Sequence, residues 1–336
     1  MKHILKPIVL ALCLMVSALA RADEPLHLLG IGNSFTENML HHLPYLLPDQ
    51  GRGVLDVAYL YRGGATLDQY CQMMADRERR CSLFEFDGET GAWRETKGVL
   101  IDSVLMLKRW DVVTLQQASG ISGHYETIKP NLETMLDTVE HYQPEALVAW
   151  HATWSYSRNS KHTNFTNYGN SQLQMDYAIE RTTVALKRDF SDRIDMIIPS
   201  QPLLKRLRQT ALNDSLDLTA DGYHLAPFAA EAVSYLVYEM LLAPRLGVPV
   251  TDIEREAIGD TIHAAADFKL AKQLAYEVSH DTLLWEHEPD DIVYRTDYYA
   301  PSGHRLQQPA RMAPTIRCSH YLSGERKDER IILLDK

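Results

Sequence analysis

The sequence predicts an α/β fold, specifically a three-layer α/β/α sandwich built on a parallel sheet of about five strands. Short apolar runs rich in β-branched and aromatic residues recur along the chain, and segments of helical periodicity separate them. Alternation of this kind is typical of a parallel sheet with helices on both faces. The length of 336 residues and the hydrophobic content of 45% suffice for a sizeable buried core.

Five apolar runs predict the strands of that sheet. They cover residues 26–32, 53–61, 111–116, 146–150 and 194–199. The clearest predicted helices are residues 130–142 and 228–242. In the first helix, apolar side chains recur at helical spacing, at Leu132, Met135, Leu136 and Val139. Ligands of parallel sheets bind beyond the carboxyl ends of the strands, so the residues directly after each run are the first candidates for a site.

Both ends of the chain and one insertion depart from this alternation. Residues 1–22 begin with basic residues, continue as an apolar run and end in small residues, the layout of a signal peptide. Residues 81–98 predict an inserted hairpin with a turn of about five residues. Residues 289–336 show no strand or helix period before Ile331, which predicts an extended arm or a tail. One α/β domain, residues 23–288, remains.

The signal peptide predicts an exported protein, periplasmic or secreted. Cys13 lies inside the apolar run rather than directly after it, so no lipid-bearing cysteine is expected at the cleavage site. No later stretch approaches the ~20 apolar residues of a transmembrane helix, so no membrane span is expected. The sequence does not indicate the oligomeric state.

The charge of the mature chain argues against a nucleic-acid partner. Three of the 34 basic residues lie in the signal peptide, which leaves 31 against 45 acidic residues and a net charge of −14. Such a chain repels phosphate backbones unless it carries a basic patch. The short basic run at 205–208 lies in a helical segment and is better interpreted as a solvated face.

The cysteines and histidines predict no metal site, and no cofactor is expected. No cluster of these residues has the spacing of zinc ligands. Cys71, Cys81 and Cys318 remain after the signal peptide, and export permits a disulfide. Whether Cys71 and Cys81 form one stays open, because an odd count leaves one thiol over.

Ser34 is the first candidate for chemistry. It follows the first strand in the stretch Gly-Ile-Gly-Asn-Ser-Phe-Thr. A glycine-flanked turn at the start of a helix exposes a hydroxyl and supplies backbone amide donors. The alternative is that Ser34 merely caps the following helix, and the stretch alone favours this simpler role.

Asp221 and His224 are the second candidate. They are three residues apart with Gly222 between them, so one tight turn can bring the carboxylate to the imidazole Nδ1. That contact fixes the tautomer of the ring and stabilises its protonated form. The alternative is that both residues serve only the turn before the helix at 228–242.

Four blocks, taken together and in order, resemble those of the SGNH, or GDSL-like, hydrolase superfamily. They are Gly32-Asn-Ser-Phe-Thr after the first strand, Gly63-Gly64 after the second, Gln116-Gln117 after the third, and Asp221-Gly-Tyr-His224 near the end of the sheet. The resemblance covers about residues 26–245. It points in particular to a branch of exported bacterial proteins whose domain is labelled only as uncharacterised, and it implies a flavodoxin-like sheet.

The resemblance implies the roles of a serine esterase. Ser34 would be the nucleophile, His224 the general base, and Asp221 the group that orients the base. The oxyanion would be held by the backbone amides of Ser34 and of Gly63 or Gly64, together with a side-chain amide from the third block.

Two positions depart from the family pattern. Asn33 stands where the first block usually has aspartate, and both side chains can cap the turn. Gln116 and Gln117 stand where the third block usually supplies asparagine. Either glutamine could donate, and the sequence does not decide which of them reaches the oxyanion.

Asn33, His151 and Trp154 are the candidates for a substrate pocket. His151 and Trp154 follow the fourth strand, where an aromatic face would suit a sugar ring, although packing explains them equally well. The predicted function is that of an exported esterase that removes small acyl groups such as acetyl from carbohydrate. The alternatives are a hydrolase of lipid or other carboxylic esters, and a non-catalytic carbohydrate-binding protein that retains the fold.

Overall fold

A seven-stranded sheet forms the centre of the computed structural model, which describes residues 24–254, 262–291, 293–308 and 314–332. In chain order its strands are β1 (Leu26–Gly32), β2 (Leu55–Tyr61), β3 (Cys81–Asp87), β4 (Ala92–Val99), β5 (Val112–Leu115), β6 (Leu147–His151) and β7 (Met196–Ile198). Their order in the sheet is β4-β3-β2-β1-β5-β6-β7. The pairings along β2-β1-β5-β6-β7 are parallel, which confirms the predicted parallel sheet of about five strands, and β3 pairs antiparallel with both β2 and β4.

Helices cover both faces of this sheet. They are α1 (Ser34–Leu40), α2 (Leu67–Ala75), α3 (Ile101–Leu105), α4 (Tyr125–Tyr142), α5 (Gln172–Asp189), α6 (Ser200–Leu207), α7 (Pro227–Leu241), α8 (Ala243–Leu246) and α9 (Ala265–Ser279). The helices α1, α6, α7 and α9 pack on the face that carries Leu26 and Leu28. The helices α2, α3 and α4 pack on the face that carries Leu29 and Ile31. The predicted three-layer sandwich is therefore confirmed.

Two elements differ in extent from their predictions. The hairpin expected at 81–98 is present, but β3 pairs with β2, so the hairpin extends the central sheet instead of standing apart from it. Phe84 stacks on Tyr59 with ring centroids 4.9 Å apart, which ties it to the core. Helix α4 begins at Tyr125, five residues before the predicted start, and includes Pro130. The prediction rested on the apolar positions from Leu132 to Val139, which do not mark the first turn of the helix.

The segment after residue 289 contains strands that the sequence analysis did not predict. A second sheet, with the order β11-β10-β8-β9, comprises β8 (Val293–Tyr299), β9 (Arg305–Leu306), β10 (Pro314–Tyr321) and β11 (Arg326–Ile332). The pairing of β10 with β8 and with β11 is antiparallel. Residues 326–330 of β11 are all exposed. A strand whose two faces are both exposed to solvent shows no alternation of apolar and polar residues. For this reason the sequence analysis predicted an extended arm and did not detect the strand.

The three cysteines of the described residues are free thiols. The Cys81 sulfur lies 3.9 Å from the Met73 sulfur, and the Cys71 thiol donates to the Asn131 carbonyl oxygen at 3.4 Å. Burial raises the pKa of both Cys71 and Cys81 to about 11, so both remain protonated at neutral pH.

No helix within the described ranges is long and apolar enough to span a membrane. The predicted signal peptide, residues 1–22, lies outside the described residues.

The sheet order places a topological switch beside β1. The chain passes from β1 to β2 on one side, and β5 later pairs with β1 on the other side. Loops after β1 and β5 therefore diverge and leave a crevice between them. Gly32 at the end of β1 allows α1 to pack closely there, because a Cβ atom would lie 2.2 Å from Thr36 Oγ1 and 2.8 Å from Gln116 Cγ.

Candidate active site

The turn after β1 presents Ser34 at the start of α1. Asn33 is the N-cap residue, since its Oδ1 accepts a hydrogen bond from the Phe35 backbone amide at 3.0 Å. Ser34 is therefore the first residue of the helix and does not cap it. Its hydroxyl is free for another partner.

That partner is His224, and the two residues belong to a chain of three side chains. His224 Nε2 lies 2.8 Å from Ser34 Oγ, and His224 Nδ1 lies 2.7 Å from Asp221 Oδ2. With the proton on Nδ1, the ring donates to Asp221 and its Nε2 accepts from the Ser34 hydroxyl. The structure thus brings together the three residues that the sequence predicted as nucleophile, base and orienting carboxylate.

A tight turn holds the Asp221 carboxylate in place. Its Oδ1 accepts hydrogen bonds from the backbone amides of Tyr223 at 3.1 Å and of His224 at 2.8 Å. Gly222 has φ +97°, a value that side chains other than glycine rarely adopt, so it permits the turn. Burial alone would raise the pKa of Asp221, but the hydrogen bonds from His224 and Tyr223 outweigh it and hold the pKa below its usual value. The carboxylate is therefore ionised at neutral pH.

Trp154 fixes the position of the two turns relative to each other. Its indole nitrogen donates to the Tyr223 carbonyl oxygen at 2.8 Å, next to His224. Its ring stacks on Phe35, next to Ser34, with centroids 4.2 Å apart and planes 12° apart. Trp154 is fully buried, so the expectation that it lines a substrate pocket is wrong and the packing alternative holds.

Asn38 provides a second link between the two turns. Its Oδ1 accepts a hydrogen bond from the Leu225 backbone amide at 3.1 Å. Asn38 lies on α1, one turn after Ser34, and Leu225 directly follows His224. The sequence analysis missed this residue, although its spacing of four from Ser34 on a helix places the two on one face.

His151 is also buried, and the expectation that it lines the pocket is likewise wrong. It is 1% exposed at the end of β6, with Nδ1 3.2 Å from Gln116 Oε1 and Nε2 2.9 Å from Ser200 Oγ. Burial lowers its pKa to about 3, so the ring is neutral. His151 ties the end of β5 to the start of α6.

The neutral state of His151 predicts acid-sensitive stability. In the unfolded chain an ordinary histidine gains a proton below about pH 6.5, whereas the folded ring stays neutral down to about pH 3. The unfolded state therefore binds more protons in that window, and stability falls as the pH falls. Between pH 7 and pH 5 this residue should account for a loss of about 2 kcal/mol in the free energy of unfolding.

The measurement compares denaturant unfolding of the wild type and of His151→Asn at pH 7 and pH 5. Asparagine can still donate to Gln116 but does not titrate. The variant should lose less stability than the wild type over this window, and equal losses in both would contradict the prediction.

Both glutamines of the third block are committed to structural hydrogen bonds. The Gln116 amide donates to Asn33 Oδ1 at 2.9 Å and to the Gln117 carbonyl oxygen at 3.4 Å. The Gln117 amide donates to the carbonyl and hydroxyl oxygens of Thr127, both at 3.4 Å. Their exposures are 3% and 0%. The expectation that one of them donates to the oxyanion is therefore corrected, because both amides are buried, point at acceptors inside the fold and do not line the pocket of Ser34.

Asn33 borders the pocket but its side chain serves the turn. Besides accepting from Phe35 and Gln116, it donates through Nδ2 to the Ala65 carbonyl oxygen at 3.1 Å. Aspartate cannot make this donation, which gives a physical reason for asparagine at this position. Asn33 thus couples the turn of Ser34 to the loop of Gly63 and Gly64.

The pocket in front of Ser34 has a volume of about 540 Å³. Gly63 and Gly64 line it, as predicted from the second block, and so do Ser119 and Gly120 after β5. The backbone amides of Ser34, Gly63 and Gly64 have no acceptor among the described residues. These amides are therefore available to an oxyanion.

One wall of the pocket is aromatic. Tyr156, His162 and Tyr223 follow one another, with ring centroids 4.8 Å apart for the first pair and 4.6 Å apart for the second. The Tyr223 ring in turn lies 4.2 Å from the His224 ring. The row of rings thus extends from His224 to Tyr156, which is fully buried, and its partly exposed members are His162 and Tyr223.

Asn164 and Glu37 add polar groups that the sequence analysis did not single out. The Asn164 side-chain amide lines the pocket and has no hydrogen-bond partner among the described residues. Gly120 makes room for it, because a Cβ atom there would lie 2.4 Å from Asn164 Nδ2. Asn164 lies in a short 3-10 helix, Thr163–Tyr168, which is too short to give a periodic apolar pattern in the sequence. Glu37, three residues after Ser34 on α1, could have been found from helical spacing.

Within the part of the chain that the structure describes, no group of three or more His, Cys, Asp or Glu side chains could hold a metal ion.

The fold and the site together define an α/β protein with a Ser-His-Asp chain at the carboxyl edge of a parallel sheet. Residues 27–237 match the family model of DUF4886, a domain of unknown function, and the protein belongs to this family. A search of curated proteins returned no match.

A solved structure of the same family supports the fold. A DUF4886 family protein from Bacteroides uniformis ATCC 8492 is 23% identical, with a TM-score of 0.67 over 76% of this chain and 95% of that chain. A candidate GDSL-like lipase from Parabacteroides merdae ATCC 43184 is 10% identical, with a TM-score of 0.43 over 66% and 97% of the two chains. The latter likeness is too low to carry an argument about function.

Proposed function

We propose that this protein is a serine esterase of the SGNH type. The observation that carries the proposal is the continuous hydrogen-bonded chain from Ser34 through His224 to Asp221, with distances of 2.8 and 2.7 Å. Ser34 lines a pocket together with Gly63 and Gly64, and the backbone amides of these three residues have no acceptor among the described residues. A nucleophile, an oriented base and free donors are the parts that acyl transfer requires.

The reaction follows from these positions. His224 Nε2 takes the Ser34 proton while Oγ attacks the ester carbonyl carbon, and the carbonyl oxygen becomes an oxyanion. The tetrahedral intermediate collapses, and His224 returns the proton to the departing alcohol. Water then gives a proton to His224, attacks the acyl-enzyme and releases the acid and Ser34.

Three donors are proposed for the oxyanion. Two are the backbone amides of Ser34 and of Gly63 or Gly64. The third is the side-chain amide of Asn164, which takes the role that the glutamines cannot fill. Asn164 lines the same pocket as Ser34, and its amide is unpaired among the described residues.

Replacing Asn164 with alanine should lower kcat about 10²-fold, because a donor that acts on the transition state is lost. KM should change much less than kcat. Asn159→Ala is the matched control, since the Asn159 amide donates to the Ser215 carbonyl oxygen at the surface. Equal kcat values for Asn164→Ala, Asn159→Ala and the wild type would remove Asn164 from the mechanism.

The proposed substrate is a small acyl ester, such as an acetyl ester, of a carbohydrate, and the proposed location is outside the cytoplasm. The half-buried rings of His162 and Tyr223 in the pocket wall offer faces to a sugar, and the volume of about 540 Å³ is within the range of small-molecule sites. The signal-peptide pattern of residues 1–22 supports export.

The test is hydrolysis of 4-nitrophenyl esters of increasing chain length and of an acetylated methyl glucoside. The acetates should be hydrolysed and the decanoate should be the poorest substrate. Faster hydrolysis of the decanoate than of the acetate would indicate a lipid esterase and contradict the proposed carbohydrate substrate. Hydrolysis of none of these esters would contradict the proposed function.

A further inference from the structure

Glu37 places an unpaired carboxylate beside the nucleophile. It lines the pocket on α1, one helical turn after Ser34, and neighbours at this spacing have Cβ atoms about 5–6 Å apart. Its backbone amide makes the first hydrogen bond of the helix, to the Asn33 carbonyl oxygen at 3.1 Å. Its carboxylate makes no hydrogen bond or ion pair with any described residue. The side chain lies in the first turn of α1, where its negative charge suits the helix dipole, but its oxygens remain available to a ligand.

The surroundings of Glu37 indicate which ligand groups would pair with its carboxylate. The side chain is half-buried, and burial raises its pKa while a charge on His224 opposes the shift. Partial burial removes water from the carboxylate, and without a hydrogen-bond donor in the protein this desolvation costs free energy. A ligand that donates O–H groups to the carboxylate would offset that cost. Tyr61, on the same pocket wall, also has a pKa raised by burial and by the Glu37 charge, so its phenol stays protonated and can donate.

The charged side chains in and directly behind the pocket are acidic, apart from its histidines. None of its described lining residues is lysine or arginine, whereas Glu37 is a lining residue and Asp221 lies directly behind His224. A ligand that carries a carboxylate or phosphate would meet repulsion without a compensating cation. A neutral ligand rich in hydroxyl groups would instead supply the hydrogens that Glu37 lacks.

We infer that Glu37 is a specificity-determining residue that accepts hydrogen bonds from the hydroxyl groups of a neutral polyol ester and rejects esters with an anionic group near the scissile bond. This inference rests on the proposed esterase function and deepens it, because it defines the alcohol part of the substrate as neutral and polyhydroxylated. Discrimination against anionic esters is a property of the wild-type pocket and can be measured without knowing the natural substrate.

The test uses a matched pair of aryl acetates, 3-acetoxybenzoate as the anion and its methyl ester as the neutral analogue. The ratio of kcat/KM, neutral over anionic, is measured for the wild type, Glu37→Gln and Glu133→Gln. Glu37→Gln should lower this ratio about tenfold, the effect expected for unit charges about 12 Å apart at an effective dielectric constant of about 20 near a protein surface. Glu133→Gln removes the same charge from an exposed position on α4 and should leave the ratio unchanged.

A second measurement needs only the wild type. Raising the ionic strength from about 0.01 M to 1 M shortens the Debye length from about 30 Å to about 3 Å and should lower the ratio as well. An unchanged ratio in Glu37→Gln, or an equal change in Glu133→Gln, overturns the role of Glu37 while the esterase function stands. No hydrolysis of either ester by the wild type overturns the esterase function and this inference with it.

Discussion

Ser34→Ala should lower kcat for 4-nitrophenyl acetate by about 10³- to 10⁶-fold, because the variant has no oxygen to form the acyl-enzyme. The fold should not change, since Asn33, and not Ser34, caps α1. The thermal unfolding midpoint should therefore stay within a few degrees of the wild-type value. The assay is steady-state hydrolysis, together with mass spectrometry after reaction with an alkyl fluorophosphonate, which should label Ser34 in the wild type.

Ser119→Ala is the matched control for this prediction. Ser119 lines the same pocket, but its hydroxyl pairs with the Tyr156 hydroxyl at 2.9 Å and not with His224. The same chemical change there should not abolish the covalent label at Ser34. Equal activity of Ser34→Ala and the wild type would contradict the nucleophile assignment, and so would a label on any other residue.

The central sheet was predictable because its parallel strands are buried on both faces. Such strands appear in the sequence as continuous apolar runs, and β1 with Leu26, Leu28, Leu29 and Ile31 is an example, since it serves two cores. The strands of the second sheet were not predictable on this basis. Few of their described residues are buried, and the charged residues 326–330 of β11 are all exposed.

The triad was predictable for a different reason. Asp221 and His224 lie in one turn, so their contact is local and a short motif reports it. Ser34 could be paired with them only through the resemblance of four blocks in order. Trp154 and Asn38 link the turn of Ser34 to the turn of His224. These contacts join segments that are far apart in the chain, so no periodic pattern in the sequence predicts them.

The glutamines show the limit of assigning a role by residue type. A free amide is the right chemistry for an oxyanion donor, and Gln116 and Gln117 follow the correct strand. Their hydrogens are nevertheless used inside the fold, by Asn33 and Thr127. Only the three-dimensional contacts show this, and they also show that the side-chain amide of Asn164, which lines the pocket, has no hydrogen-bond partner among the described residues.

Asp221→Asn should lower kcat by about 10²- to 10⁴-fold while the fold is retained. The two backbone amides of Tyr223 and His224 point at Oδ1, so the asparagine must keep its carbonyl oxygen there. Its amide group then faces His224 Nδ1 as a donor. The ring proton is forced onto Nε2, which donates to Ser34 and can no longer accept the Ser34 proton. The loss of activity thus arises from the wrong tautomer of an intact turn.

Asp214→Asn separates this effect from a loss of structure. Asp214 Oδ1 caps a neighbouring turn by accepting from the backbone amides of Leu216 at 2.8 Å and Leu218 at 3.1 Å, and no described histidine contacts it. Both variants should unfold near the wild-type temperature, and only Asp221→Asn should lose kcat. NMR of the imidazole nitrogens should show the proton on Nδ1 in the wild type and on Nε2 in Asp221→Asn. Activity of Asp221→Asn within threefold of the wild type would show that the carboxylate does not orient His224 during the reaction.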